Sequence, residues 1–261
     1  MDHTFQPLST LEATPEATPA NPERRSWAPW WHTSLLVLLL LLTSWGAALQ
    51  AAAAAAKPKA GSHIAEYIGN IVFEWLLVLY IWWGFRLRRR TMFEAIGRGW
   101  KTTEDALRDL AIAAGFWLVS AGALVLLQKA LGIASKQSLQ DRMRAMQFIS
   151  PRTAAELALF LLLAVSAGVT EEIMFRAYLQ RQFIWMTRNA AIGIALSAAL
   201  FGVAHSYQGA KMVVVLGCYG AMFGVLAHFR RSVIPGMIAH AGQDSLFGLA
   251  AFFMRNMPAL K

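Results

Sequence analysis

The chain has 261 residues, of which 57% are hydrophobic and only 15% are charged. A soluble domain carries roughly 25% charged residues to cover its surface, so the composition excludes an ordinary soluble protein. The single cysteine excludes a disulfide scaffold. The net charge of +9 lies largely beside apolar stretches, which favours a membrane protein over a nucleic-acid-binding one. We therefore predict an all-α, polytopic helical membrane protein without a nucleic-acid partner.

Residues 1–32 are rich in proline and lack apolar periodicity, which predicts a disordered cytoplasmic tail. A helix needs about 20 apolar residues to cross a bilayer. Seven stretches are candidates for such spans: 33–56, 66–85, 108–131, 154–175, 190–205, 211–228 and 233–254. The first also loosely fits a cleaved signal peptide, but the long acidic tail before it favours a retained anchor.

The basic residues suggest an orientation, since Lys and Arg are retained on the cytoplasmic side of a membrane. The clusters within 86–101, 176–189 and 230–231 all fall on that side if the amino terminus is cytoplasmic. The segment 132–152 is also basic but falls on the opposite side. It is either an interfacial amphipathic helix or a sign that the span count is wrong by one.

Ionisable residues within membrane spans are costly and therefore indicate function. Glu172 and Arg176 are four residues apart, the favourable order for an ion pair on a helix, so we expect them to be structural. Glu171 lies about 100° away around the helix and has no basic residue one turn later. This leaves Glu171 available as a general base or acid.

Two further pairs follow in the next apolar stretches. Glu171 and His205 are equally far along the chain from Arg188, the best turn position, so an antiparallel hairpin would bring them to equal depth. His240 and Asp244 are four residues apart and share a helix face. Opposite His240, Gly220 and Gly224 form a GxxxG pattern, which would let the last two helices approach closely.

The depth of His240 can be compared with that of Glu171. They match only if the hairpin 181–195 projects about 13 Å beyond the membrane. Glu171 and His205 could then activate water while His240 and Asp244 stabilise an oxyanion. Alternatively, Glu171, His205 and His240 are a reasonable set of Zn²⁺ ligands with an open position. The residues alone leave both the hydrolytic and the metal-binding interpretations open.

The order of these residues resembles the CPBP family, the CAAX-protease and bacteriocin-processing group of intramembrane proteases, also called the Abi family. Its patterns EExxxR, FxxxH and HxxxN/D match Glu171-Glu172-x-x-x-Arg176, Phe201-x-x-x-His205 and His240-x-x-x-Asp244. The resemblance covers about residues 154–250. The sequence contains no HExxH, GxSG or GxGD signature of other intramembrane proteases.

The resemblance implies a glutamate-dependent endopeptidase in which Glu171 and His205 activate water and His240 with Asp244 holds the oxyanion. It also implies about eight spans, and a cofactor requirement of either none or Zn²⁺. We expect amino-terminal helices over 33–153, a protease core over 154–254 and a tail over 255–261. The expected partners are the lipid bilayer and a peptide or protein substrate.

The expected location is a bacterial-type inner (plasma) membrane, with the active site facing the cytoplasm. No prenyl-binding feature is readable in the sequence, so a preference for CAAX substrates is not carried over. The rival interpretation is a non-catalytic membrane scaffold or bacteriocin immunity factor, in which the same polar residues only hold helices together.

Overall fold

The computed structural model describes residues 26–56, 61–133 and 150–255. Residues 1–25 of the predicted tail 1–32 and residues 256–261 of the predicted tail 255–261 lie outside the described residues, as does most of the basic segment 132–152. Residues 30–32 of the predicted disordered tail instead belong to the first helix. Within the described ranges the chain is helical. We label the helices α1 (Trp30–Ala56), α2 (Ile64–Leu87), α3 (Met92–Ile96), α4 (Thr103–Ala130), α5 (Ala154–Thr187), α6 (Ala190–Ala204), α7 (Ala210–Arg230) and α8 (Ile234–Arg255).

Five helices among the described residues are long and apolar enough to cross a membrane: α1, α2, α4, α5 and α7. Helix α6 is a shorter apolar helix of 15 residues, and α8 carries the polar residues His240 and Asp244 along its 22 residues. Each predicted span coincides with a helix. This confirms the polytopic helical class, although the predicted span 154–175 continues to Thr187.

Local sequence explains where several helices begin. The Thr102 hydroxyl accepts from the Asp105 amide, and the Asp105 carboxylate accepts from the Thr102 amide, a capping box that starts α4. The Thr153 hydroxyl caps α5 in a similar way. Between α5 and α6, Arg188 adopts a left-handed conformation and the Asn189 side chain caps α6. The predicted turn at Arg188–Asn189 is therefore confirmed.

Helix α5 lies at the centre of the bundle, where it packs against α2, α6 and α8. Helix α1 is fixed to α5 by buried polar contacts, since the Tyr178 hydroxyl hydrogen-bonds His32 Nδ1 at 2.8 Å and the Thr33 hydroxyl at 2.9 Å. His32 also stacks on Tyr80 of α2, with ring centroids 3.9 Å apart. These contacts fix the first helix against α2 and α5.

Small residues determine which helices approach most closely, but not as the GxxxG pattern suggested. Gly220 faces Phe201 of α6 and Gly224 faces Gln180 of α5, so the two glycines pack against α6 and α5 and not against α8. Helix α8 instead approaches α5 at Gly168, where an added Cβ would lie 2.5 Å from the Ala241 backbone nitrogen. The prediction was wrong because GxxxG fixes a helix face, not the partner that packs on it.

Candidate active site

The EExxxR segment lies where α5 changes its helical form. The α-helical part ends at Glu171, and residues Glu172–Gln180 form a π-helix in which all nine residues are buried. A π-helix has i→i+5 hydrogen bonds and is rare, and it is found frequently at functional sites. The wider turn changes the register between α5 and α6.

The register change affects the predicted pairing of Glu171 with His205. Near the turn, Gly193 packs on Ile184, whereas further along the Ser197 hydroxyl donates to the Phe175 carbonyl at 2.7 Å. If residues are counted along α5 and α6 from the contact between Phe175 and Ser197, Glu171 is level with Phe201. His205 then lies about one helical turn, ~5.4 Å, beyond that level. The predicted equal depth is therefore offset, because the π-helical turns take up more residues than an α-helical count allows.

Glu172 and Arg176 form the buried half of the site. Arg176 Nη1 donates to Glu172 Oε1 at 2.8 Å, and both side chains are almost wholly inaccessible. Arg176 Nη2 also donates to the Gly220 carbonyl at 3.1 Å. The guanidinium lies over the rings of Phe201 and Phe223, at 4.4 and 4.9 Å from their centroids. The structure thus pairs these two residues as the sequence predicted.

His240 joins this buried half to the other acids. Its Nδ1 lies 3.2 Å from Glu172 Oε1, a hydrogen bond that fixes the ring and assigns the Nδ1 proton to that contact. Its Nε2 lies 3.7 Å from Glu171 Oε2 and 3.6 Å from Asp244 Oδ2. Both separations exceed a hydrogen bond, so Nε2 faces two carboxylates without being fully engaged by either.

Glu171 and Asp244 form the more open half of the site. Their side chains are 18% and 36% exposed, whereas that of Glu172 is 0% exposed. Glu171 Oε2 is itself buried and has no hydrogen-bond partner among the described residues. A carboxylate oxygen in this position can accept a proton from a water molecule or a substrate.

The contact between Glu171 and His240 settles the question of their relative depth, because the two helices bring these side chains within 3.7 Å. Two polar side chains at the start of the hairpin 181–195, those of Gln180 and Gln182, do not face water. Gln180 is buried and donates to the Gly224 carbonyl at 2.9 Å, and Gln182 is buried against Trp27 and Ala28. These glutamines instead satisfy backbone groups between helices.

His205 occupies the carboxyl-terminal end of α6. Its Nδ1 lies 2.8 Å from the Phe201 carbonyl oxygen, which can only accept, so Nδ1 carries the proton and Nε2 is available as a base. No ion pair joins His205 to Glu171 within the described residues, but His205 interacts electrostatically with Asp244. The structure therefore brings Glu171, His240 and Asp244 into one cluster and puts His205 at its edge.

Tyr207 was not predicted as a site residue and lies in the 3₁₀ turn Ser206–Gln208 after α6. Burial, followed by the nearby carboxylates of Glu171 and Asp244, raises the pKa of Tyr207 to about 12. The phenol is therefore neutral at physiological pH and can donate a hydrogen bond. The only signal in the sequence was its position two residues after His205.

Glu74 on α2 is a second residue whose place in the site was not predicted. Its Oε2 accepts hydrogen bonds from the hydroxyls of Ser166 at 2.9 Å and Thr170 at 3.2 Å, both on α5. It interacts electrostatically with Glu171 and His240. The sequence analysis had not connected Glu74 to the motif residues because they are almost a hundred positions apart.

The proposed Zn²⁺ ligands can be compared with this geometry. Among the described residues, no group of three or more His, Cys, Asp or Glu side chains is arranged to hold a metal ion. His240 turns one nitrogen to Glu172 and the other to two carboxylates, and Nδ1 of His205 is engaged by the Phe201 carbonyl. The set of Glu171, His205 and His240 therefore does not fit a metal centre.

The comparisons with known proteins agree with the three motifs. Residues 153–246 match the family model described as type II CAAX prenyl endopeptidase Rce1-like. No curated protein and no solved structure matches the chain significantly. The matched segment runs from the start of α5 to just beyond Asp244, so it includes every motif residue of the site. The match confirms the resemblance inferred from the sequence.

Proposed function

We propose that this chain, whose residues 153–246 belong to the CAAX/CPBP-type intramembrane protease family, cleaves peptide bonds by direct attack of an activated water. The single observation that carries the proposal is the pair of distances around His240 Nε2, 3.7 Å to Glu171 and 3.6 Å to Asp244. They bring a base and a hydrogen-bond donor close together without a hydrogen bond between them, so one reacting oxygen beside both could contact each of them in a partly exposed cluster.

In the proposed reaction, Glu171 is the general base. Its unpartnered Oε2 takes a proton from a water molecule whose oxygen then attacks the substrate carbonyl carbon. His205 assists through Nε2, since its Nδ1 proton is committed to the Phe201 carbonyl. The proton passes to the nitrogen of the leaving amine when the carbon–nitrogen bond breaks, and no covalent enzyme intermediate is formed.

His240 is the proposed oxyanion donor. In this role both ring nitrogens of His240 carry a proton: Nδ1–H contacts Glu172 and orients the ring, and Nε2–H points into the cluster towards the position of the developing negative charge. Asp244, one turn later on α8, holds the Nε2 side of the same imidazole at 3.6 Å. Glu172 and Arg176 are proposed to be supporting residues that position His240 through its Nδ1 side, opposite the Nε2 atom that faces the reaction.

The rival function is a non-catalytic membrane scaffold or bacteriocin immunity factor. Such a protein would need the buried ion pair but would have no use for partly exposed carboxylates beside it. The partial exposure of Glu171 and Asp244 favours the enzyme, because a purely structural polar cluster in a membrane is satisfied within itself.

A cleavage assay with the purified protein and a peptide library tests the proposal. The Glu171→Gln variant changes shape very little but removes the base, so we expect kcat to fall by about 10²–10⁴-fold while the protein stays folded. Wild-type cleavage should persist in a chelator, because the site residues do not fit a metal centre. The matched control is Glu104→Gln, the same change at an exposed carboxylate on α4.

Loss of cleavage in both variants, or retention in both, would contradict the assignment of Glu171. Absence of any cleavage by the wild-type protein, together with an unchanged cellular phenotype of Glu171→Gln, would favour the scaffold. Inhibition by the chelator that is reversed by Zn²⁺ would restore the metal-dependent alternative.

We also propose a bacterial-type plasma membrane with the basic helix ends, and the active-site opening, in the cytoplasm. Along α8, His240 lies about 9 Å from Ile234 at the basic end and about 22 Å from Arg255. In a Cys218→Ser background, Arg88→Cys should react in intact cells only with a membrane-permeant thiol reagent. Lys211→Cys should react with an impermeant one, and the reverse pattern would invert the orientation.

A further inference from the structure

A second cavity lies at the basic end of the helix bundle and has a volume of about 740 Å³. Arg176 and Gln180 of α5 line it, but the four proposed catalytic residues do not. The cavity therefore approaches the buried ion pair from the side away from the reaction centre. Its other walls come from the segment before α1, the region around α3, and the turn between α7 and α8.

The lining carries an excess of positive charge. Arg98, Arg181 and Arg231 face the cavity, and none of them has a carboxylate partner among the described residues. The lining contains one described acid, Glu94, which is paired with Arg90 at 3.5 Å. Uncompensated guanidinium groups that converge on one concave space form an electrostatic site for an anion.

The rim of the cavity is held by backbone contacts. Gly97 and Ser232 form an isolated bridge, and the Val233 amide donates to the Ile96 carbonyl at 2.9 Å. Gly97 has a φ of +95°, and an added Cβ there would overlap the Arg231 carbonyl oxygen. This close approach requires glycine, so the two segments that carry Arg98 and Arg231 are fixed relative to each other.

Trp27 lines one wall of the cavity and contacts two arginines. The guanidinium of Arg181 lies 5.0 Å from the Trp27 ring centroid and that of Arg90 lies 4.7 Å from it. These cation–π contacts hold two like charges near each other, and of the two arginines only Arg90 has a described carboxylate partner, Glu94. The arginines are thus arranged before an anion arrives, which lowers the cost of ordering them on binding.

We propose that this cavity binds the phosphate-bearing headgroup of an anionic phospholipid. Phosphate matches the planar, two-donor geometry of arginine. Phe93 in the lining and Phe229 beside His228 are 82% and 80% exposed, so apolar rings project next to the charges. Basic and aromatic side chains at the ends of membrane helices suit the boundary between headgroups and acyl chains, whereas a free anion would gain nothing from the rings.

Native mass spectrometry of the full chain in detergent tests the proposal independently of protease activity. The wild-type protein should retain phosphatidylglycerol in preference to phosphatidylcholine. Arg181→Gln and Arg231→Gln should each weaken phosphatidylglycerol binding about fivefold, and the double variant about 25-fold, as expected for loss of one and two basic contacts. Circular dichroism checks that each variant remains helical.

The matched control is Arg88→Gln, which removes an exposed charge from the same end of the bundle but outside the cavity lining. It should change binding less than twofold. An equal loss in Arg88→Gln would mean general surface attraction and would overturn the site. A wild-type protein without preference for phosphatidylglycerol would overturn it too. Displacement of the lipid by equimolar inorganic phosphate would assign the cavity to free phosphate and overturn the lipid assignment.

Discussion

The two halves of the candidate active site differ in burial although adjacent residues of one motif build them. Glu172 has 0% of its side chain exposed and its Oε1 contacts both Arg176 and His240, whereas Glu171 is 18% exposed and has no arginine partner among the described residues. A fully buried carboxylate paired with an arginine suits a structural group, and a partly exposed carboxylate without one suits a reactive group. Neighbouring identical residues can therefore have different roles, so a motif must be read position by position.

The largest expected effect is a loss of stability when the buried half, the pair of Glu172 and Arg176, is disrupted. Replacing Arg176 with Met leaves Glu172 buried without its cation, so we expect the free energy of unfolding to fall by about 3–5 kcal/mol. Denaturant titration in detergent measures this change. The control is Arg108→Met, which breaks the exposed Arg108–Asp105 pair at 2.7 Å and should cost less than about 1 kcal/mol. Equal effects in the two variants would remove the distinction between the halves.

Substitutions in the open half of the site should lower activity and leave the free energy of unfolding almost unchanged. An asparagine at position 205 keeps a donor for the Phe201 carbonyl but lacks the second ring nitrogen of histidine. We expect His205→Asn to lower kcat by about 10²-fold, with less than about 0.5 kcal/mol change in unfolding. Peptide cleavage and denaturant titration measure the two quantities.

The same substitution at His228, which is exposed on α7, is the control for His205 and should leave both quantities unchanged. A His205→Asn variant that unfolds easily while keeping its activity when folded would assign His205 to the structural half instead.

Much of the fold followed from the sequence because apolar length and helix-terminal residues are local signals. Asn189 caps α6 directly after the left-handed Arg188, as a turn at that position requires. The ion pair between Glu172 and Arg176 was also predictable, because side chains four apart meet on one turn of a helix.

The features that were missed depend on contacts between distant segments. A 3.6-residue count cannot anticipate the π-helix over Glu172–Gln180, which alters the register against α6. Nor can it show that Gly168, and not Gly220, lets α8 approach α5. Glu74 enters the site only because α2 packs beside α5, a contact between residues almost a hundred positions apart.

Glu74 shares a feature with each half of the site. Its carboxylate accepts hydrogen bonds within the bundle, as a residue of the buried half does, but it interacts electrostatically with Glu171 of the open half. If its charge acts on the reaction, Glu74→Gln should change kcat/KM by about threefold to tenfold, since a charge acting through an effective dielectric constant of about 20 contributes on the order of 1 kcal/mol. The control is Glu66→Gln, two turns earlier on α2, where the carboxylate binds His63 and is 42% exposed. That variant should stay within twofold of wild type. If Glu74→Gln instead lowers stability and leaves kcat/KM unchanged, α2 supports the bundle without tuning the chemistry, and the reactive surroundings of Glu171 are supplied by α5, α6 and α8 alone.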